Sequence, residues 1–94
     1  MQIIKRIKAD KAGRILLSKF FAEMPEWVVV TFDTDTKNLY FTETNSNDPL
    51  GYKVDSKNRL YLPTWLREEV GEGFIICPEG IEKRYLIPSK FFAD

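Results

Sequence analysis

Val54-Asp55-Ser56-Lys57-Asn58-Arg59-Leu60-Tyr61-Leu62 carries the architecture of this chain, because a relative of it stands 45 positions earlier as Ala9-Asp10-Lys11-Ala12-Gly13-Arg14-Ile15-Leu16-Leu17. The same shift, taken without a gap, lays Lys8, Asp10, Arg14, Leu17, Glu23 and Tyr40 on Lys53, Asp55, Arg59, Leu62, Glu68 and Tyr85. Apolar positions follow: Ile7, Ile15, Phe20, Phe21, Val29 and Val30 fall on Tyr52, Leu60, Trp65, Leu66, Phe74 and Ile75. A repeat of this period is one supersecondary unit that cannot bury its own apolar face, so two copies must close on each other. The expectation is one domain, 1–94, made of a first repeat 1–45 and a second repeat 46–94, a pseudo-dimer within one chain.

Each repeat reads as two short strands, a short helix and a hairpin. Ile3 to Ala9 alternates in the manner of a strand, Asp10 to Gly13 is a turn, and Arg14 to Leu17 is a second strand. Ser18 can cap a helix through Glu23 that stops at Met24-Pro25. Trp27 to Asp33 and Leu39 to Glu43 then pair across the polar turn Thr34 to Asn38. After the linker Asn45 to Pro49 the plan repeats, with Pro63 suited to open the helix and Gly71 to end it. Phe74 to Cys77 and Lys83 to Ile87 read as the closing hairpin around Pro78-Glu79-Gly80-Ile81. Ser18-Lys19-Phe20-Phe21-Ala22-Glu23 is echoed by Ser89-Lys90-Phe91-Phe92-Ala93-Asp94, which reads as a terminal amphipathic helix. Trp65, Phe20 and Phe21 read as core where the halves meet, and the paired Phe91 and Phe92 as a surface that could serve further homo-oligomerisation.

Composition bounds the function. A 94-residue chain with 44% hydrophobic residues suits one folded domain, and no apolar run approaches the ~20 residues of a spanning helix, so no membrane role is expected. The basic start lacks the apolar stretch of a secretory signal. Cys77 is alone and histidine is absent, which leaves neither a disulfide framework nor a Cys/His metal site and fits a reducing cytoplasm. With no histidine, no Gly-rich phosphate loop, and Glu68 and Glu69 adjacent on a helix, no enzyme and no cofactor are expected. Net charge is zero, yet residues 1–24 carry six Lys/Arg against two acids and residues 25–50 one Lys against five acids. Such a separation of +4 and −4 can steer a phosphate backbone to one face.

The run Val54 to Gly71, Asp then Arg four residues on, an alternating strand, Pro63 and a short helix with Arg67, resembles the signature of the AbrB/SpoVT/MazE/MraZ superfamily. The looser copy Asp10 to Ser18 makes the organisation similar to that of MraZ, whose members carry two such halves. Asn58 stands where the pattern has Gly, Ser18 where it has Pro, and Ala22 where the second copy has Arg67. The resemblance implies a mainly β fold with short helices, a pseudo-twofold swapped-hairpin barrel of two ββαββ repeats, with a double-psi barrel as the alternative. It also implies a small transcriptional regulator binding double-stranded DNA through first strands, turns and helix starts. Carried over by position, the DNA-facing residues are Lys8, Lys11 and Arg14 in the first copy and Lys53, Lys57, Arg59 and Arg67 in the second, with Arg6 extending the face.

From the residues themselves, Asp10 and Asp55 are expected to tie their turns and pair with Arg14 and Arg59. Arginine keeps spare donors after one carboxylate contact, and its fork suits a phosphate or a guanine edge. The competing use of these cations is a solvated rim. The second functional reading is a protein-interaction module, antitoxin-like or scaffolding, motivated by zero net charge and the acidic stretch at Asp33, Asp35, Glu43 and Asp48.

Overall fold

The computed structural model describes residues 5–18, 21 and 23–92. It is mainly β with short helices: β1 (Lys5–Lys8), β2 (Arg14–Leu16), β3 (Trp27–Phe32), β4 (Leu39–Thr44), β5 (Tyr52–Lys53), β6 (Arg59–Tyr61), α1 (Thr64–Val70), β7 (Gly73–Ile76), α2 (Pro78–Lys83) and β8 (Tyr85–Pro88). A 3-10 turn, Ser89–Phe91, follows. Ile3 and Ile4, and the expected first helix at Lys19, Phe20 and Ala22, lie outside the described residues, as do Ala93 and Asp94.

The halves exchange strands. Six strands form an open antiparallel sheet in the order β1-β7-β8-β4-β3-β5, and β2 and β6 form a separate two-stranded ribbon. Thus the first strand of each repeat pairs with the third strand of the other, β1 on β7 and β5 on β3. The remaining cross-repeat ladders, β2 on β6 and β4 on β8, join equivalent strands. Ile7 faces Phe74 and Tyr52 faces Val28; the first members of these pairs are 45 apart, the second 46. Ala9 and Val54 repeat the offset, donating to the carbonyls of Glu72 and Glu26. The gap-free alignment is therefore corrected by one residue in β7: Val28 and Val29, not Val29 and Val30, are the counterparts of Phe74 and Ile75. The second repeat holds one more residue between β6 and β7, and one fewer between β7 and β8.

That shortfall coincides with a different connection. Asp33 accepts from the N–H groups of Asp35 and Thr36 at 2.8 and 3.2 Å to make the polar turn between β3 and β4, with Lys37 in the left-handed region at φ 65°. The expected tight turn at Pro78 to Ile81 is instead α2. Proline at the first helical position needs no N–H partner, and Lys83 reaches Glu79 at 2.9 Å one helical turn away. Arg84 ends the helix at φ 57°, its N–H donating to the Gly80 carbonyl.

The main core joins both repeats: Ile15, Leu17, Val28 and Leu39 from the first, Leu60, Leu62, Leu66, Val70, Phe74 and Leu86 from the second, with Phe21 also buried. Trp65 is corrected from core to surface, at 60% exposure. On α1 the inward stripe is Leu66 and Val70, four residues apart, and the position before Leu66 is rotated about 100° away from it. A smaller cluster on the other side of the sheet gathers Ile75, Cys77, Tyr85 and Ile87 against Tyr40 and Phe92. The expected terminal helix is one 3-10 turn over its described part, with Phe91 stacked on Phe32 at 6.0 Å.

Candidate nucleic-acid interface

The two turns that lead into the ribbon are built alike. In the first, one oxygen of Asp10 accepts from the N–H groups of Ala12 and Arg14 at 3.0 and 2.9 Å, and the other accepts from Arg14 Nε at 2.8 Å. In the second, Asp55 accepts from the N–H groups of Lys57 and Arg59, each at 2.9 Å, and from Arg59 Nε at 2.9 Å. The Arg14 N–H bond first, then the Arg14 side chain, holds the Asp10 carboxyl below its ordinary value against the opposing cost of burial, and Arg59 does the same for Asp55. Each turn needs one left-handed residue, supplied by Gly13 at φ 85° and Asn58 at φ 62°. Their carbonyls then bond across the halves, Gly13 accepting from Leu62 N–H at 3.0 Å and Asn58 from Leu17 N–H at 2.8 Å.

The ribbon alternates as its period of two requires. Ile15 and Leu60 face each other and are fully buried, so Arg14, Leu16, Arg59 and Tyr61 all point outward. Register sets Arg14 opposite Tyr61 and Leu16 opposite Arg59. Leu16 and Tyr61 are 45% and 55% exposed. Sequence reasoning assigned neither of them a role, although the buried-exposed alternation of Ile15-Leu16-Leu17 and Leu60-Tyr61-Leu62 was the signal that could have exposed them.

Arg67 belongs to the helix of the second repeat but lies over the turn of the first. A Cβ on Gly13 would sit 2.5 Å from Arg67 Nη1 and 2.9 Å from its Cδ. Arg67 Nη2 donates to Thr64 Oγ1 at 3.2 Å, while its Nε is buried without a partner among the described residues. Glycine in the first turn makes room for this side chain. At the equivalent positions of the other half stand Asn58 and Ala22, where the exchange of volume is reversed in sequence.

The expected contact residues thus separate into three groups. Lys11, Arg14, Lys57, Arg59 and Arg67 gather on the ribbon and its turns, Lys11 and Lys57 exposed at opposite ends because the strands are antiparallel. Arg6 and Lys8 are exposed on edge strand β1, opposite Ile75 and Gly73 and on the sheet side away from Ile7 and the main core. Lys53 is on the other edge, opposite Trp27, and lines an open cleft of about 630 Å³ with Met24, Glu26, Asp55 and Asn58. Cys77 is fully buried with its Sγ 3.9 Å from Tyr85 Oη, and burial pushes the Tyr85 phenol up. Among the described residues no group of three or more His, Cys, Asp or Glu side chains could hold a metal ion, and no helix is long and apolar enough to cross a membrane.

Comparison with family models, with curated proteins and with solved structures finds no match to this chain.

Proposed function

We propose that this protein is a small transcriptional regulator of the AbrB-like swapped-hairpin kind, binding duplex DNA through the β2–β6 ribbon and its two turns. The exchange of β1 and β5 between the halves supports the swapped-hairpin reading. One observation carries the function: four cations, Lys11, Arg14, Lys57 and Arg59, collect on one two-stranded element and its turns, Arg67 of α1 adds a fifth beside Gly13, and the carboxylates of those turns, Asp10 and Asp55, are already engaged. A zero net charge does not oppose this, since binding responds to the local field of the face. Cations meeting phosphates give a salt-dependent affinity, and each one lost lowers the slope of log affinity against log salt by about 0.9.

Titration of mixed genomic duplexes at increasing salt tests the reading. Binding at low salt with a slope that falls by about one in Lys11→Ala and again in Lys57→Ala supports it. No binding at low salt, or binding unchanged when Arg14 and Arg59 are both replaced by Ala in a variant that still folds, rejects it. A second reading, a protein-interaction module, draws on the exposed Leu16, Tyr61 and Trp65, since aromatic side chains with arginine anchor many protein interfaces. A stoichiometric protein partner co-purifying in the absence of DNA retention favours that reading.

A further inference from the structure

Outward on the ribbon, two arginines alternate with two exposed apolar side chains, and each arginine stands across from one of them. We propose that the ribbon enters the major groove as a reading head, Arg14 and Arg59 on guanine edges and Leu16 and Tyr61 on the 5-methyl groups of thymine, which rests on the DNA-binding reading above. The groove is about 12 Å wide and admits a two-stranded β-ribbon, whose strands lie about 4.8 Å apart. Charge complementarity selects this occupant, because the turns at both ends of the ribbon present cations to the phosphate walls.

The arginines are prepared for this task. Asp10 and Asp55 hold each Nε at 2.8 and 2.9 Å, and each carboxylate is itself fixed by two backbone N–H groups. This aims the guanidinium, while its terminal nitrogens make no hydrogen bond among the described residues and are free to donate to guanine O6 and N7. Between the arginines, Leu16 and Tyr61 offer apolar surface that water covers poorly and a methyl group covers well.

Symmetry makes the reading more specific. Exchange of the halves relates Arg14 to Arg59 and Leu16 to Tyr61, so the ribbon suits a site with approximate twofold symmetry. The guanine contacts are alike in the two half-sites, the apolar contacts are not, and Arg67 adds a cation beside only the first turn. The preferred site is therefore a near-palindrome with unlike halves.

The test begins with selection from a randomised duplex pool, followed by replacement of each thymine of the selected site by uracil and each guanine by 7-deazaguanine. The expected results are about a fourfold loss per critical methyl, the effect of one buried methylene-sized group, and tenfold or more per critical guanine. Leu16→Ala and Tyr61→Ala, at exposed positions, should keep the melting temperature and the salt slope while abolishing the uracil effect. Salt-dependent binding with no uracil or deazaguanine effect overturns the ribbon reading and leaves DNA binding standing. Absence of salt-dependent binding overturns both, and so does a protein partner whose capture alone is lost in these variants.

Discussion

Replacing Gly13 by Ala separates two costs that the structure superimposes at one position. The first is conformational: at φ 85° a Cβ meets the following carbonyl, a strain of about 1–2 kcal/mol. The second is steric, because that Cβ would lie 2.5, 2.8 and 2.9 Å from Nη1, Cζ and Cδ of Arg67. The guanidinium end can move, so the clash resolves by displacing Arg67 from Gly13 and Thr64, at roughly 1 kcal/mol, the low end of overpacking. Gly13→Ala should then destabilise by about 2–3 kcal/mol. In an Arg67→Ala background only the conformational part should remain, leaving a coupling of about 1 kcal/mol, above the limit for independent sites. Asn58→Ala provides the comparison, since the backbone there is also left-handed, at φ 62°. It should show no coupling to Arg67. Urea denaturation of the four members of the cycle, followed by circular dichroism, measures these quantities. Equal losses for Gly13→Ala with and without Arg67 would refute the reasoning that glycine is there to seat the arginine.

Three further outcomes follow from the same geometry. Leu60→Ala, at a fully buried ribbon position, should cost about 2–5 kcal/mol, whereas Leu16→Ala on the same ribbon should stay within about 0.5; comparable melting shifts for the two would contradict the assignment of inner and outer faces. Gly80→Ala should lower the melting temperature although alanine favours a helix by about 1 kcal/mol, because its Cβ would lie 2.6 Å from the Tyr85 carbonyl oxygen and overpacking costs about 1–3 kcal/mol; a higher melting temperature sinks this idea. Asp10 and Asp55 bind protons more weakly folded than unfolded, so their contribution is present above the ordinary carboxyl value of 3.8 and fades as pH falls through it toward the lower folded value. Melting temperatures between neutral pH and strong acid should therefore decline less steeply in the Asp10→Asn/Asp55→Asn variant than in the parent, and parallel declines would count against the turns as acid-labile elements.

What could be read from residues alone was what short-range chemistry determines. An Asp followed four residues later by Arg, with Gly or Asn between, specifies a turn in which every bond to the Asp carboxylate falls within five residues, and the structure has those bonds at both Asp10 and Asp55. Gly71 likewise closes α1 at φ 79°. The connection after β7 was misread because Pro78 and Gly80 are turn formers as well as helix openers and tolerated helix residues, and the Glu79–Lys83 pair tips that balance only once the helix exists. Trp65 was misplaced because it was read as core from its repeat equivalence to Phe20, when the angular position of Leu66 and Val70 decides which face of α1 goes inward. The single-residue offset of β7 lies in cross-strand register, which depends on a partner some 70 positions away. Arg67 was found as a candidate, but its seat over Gly13 required knowing that the helix of the second half lies beside the turn of the first. The outward apolar pair of the ribbon escaped because attention to charge passed over the residues between the charges.

The exchange of first strands also bears on the covalent continuity of the molecule. The link between the halves, Asn45 to Gly51, is a solvent-facing stretch with Leu50 at 68% exposure, closed by short-range bonds such as Gly51 N–H to the Asp48 carbonyl. Backbone cleavage there severs no ladder, and every cross-repeat pairing remains available to two separate peptides. Each peptide by itself would keep only its own hairpin, β3 with β4 or β7 with β8, and leave its first and second strands unpaired, so neither can complete a core alone. Joining the halves therefore serves to raise their mutual effective concentration, converting what would be a bimolecular, dilution-sensitive assembly into a folding reaction independent of protein concentration.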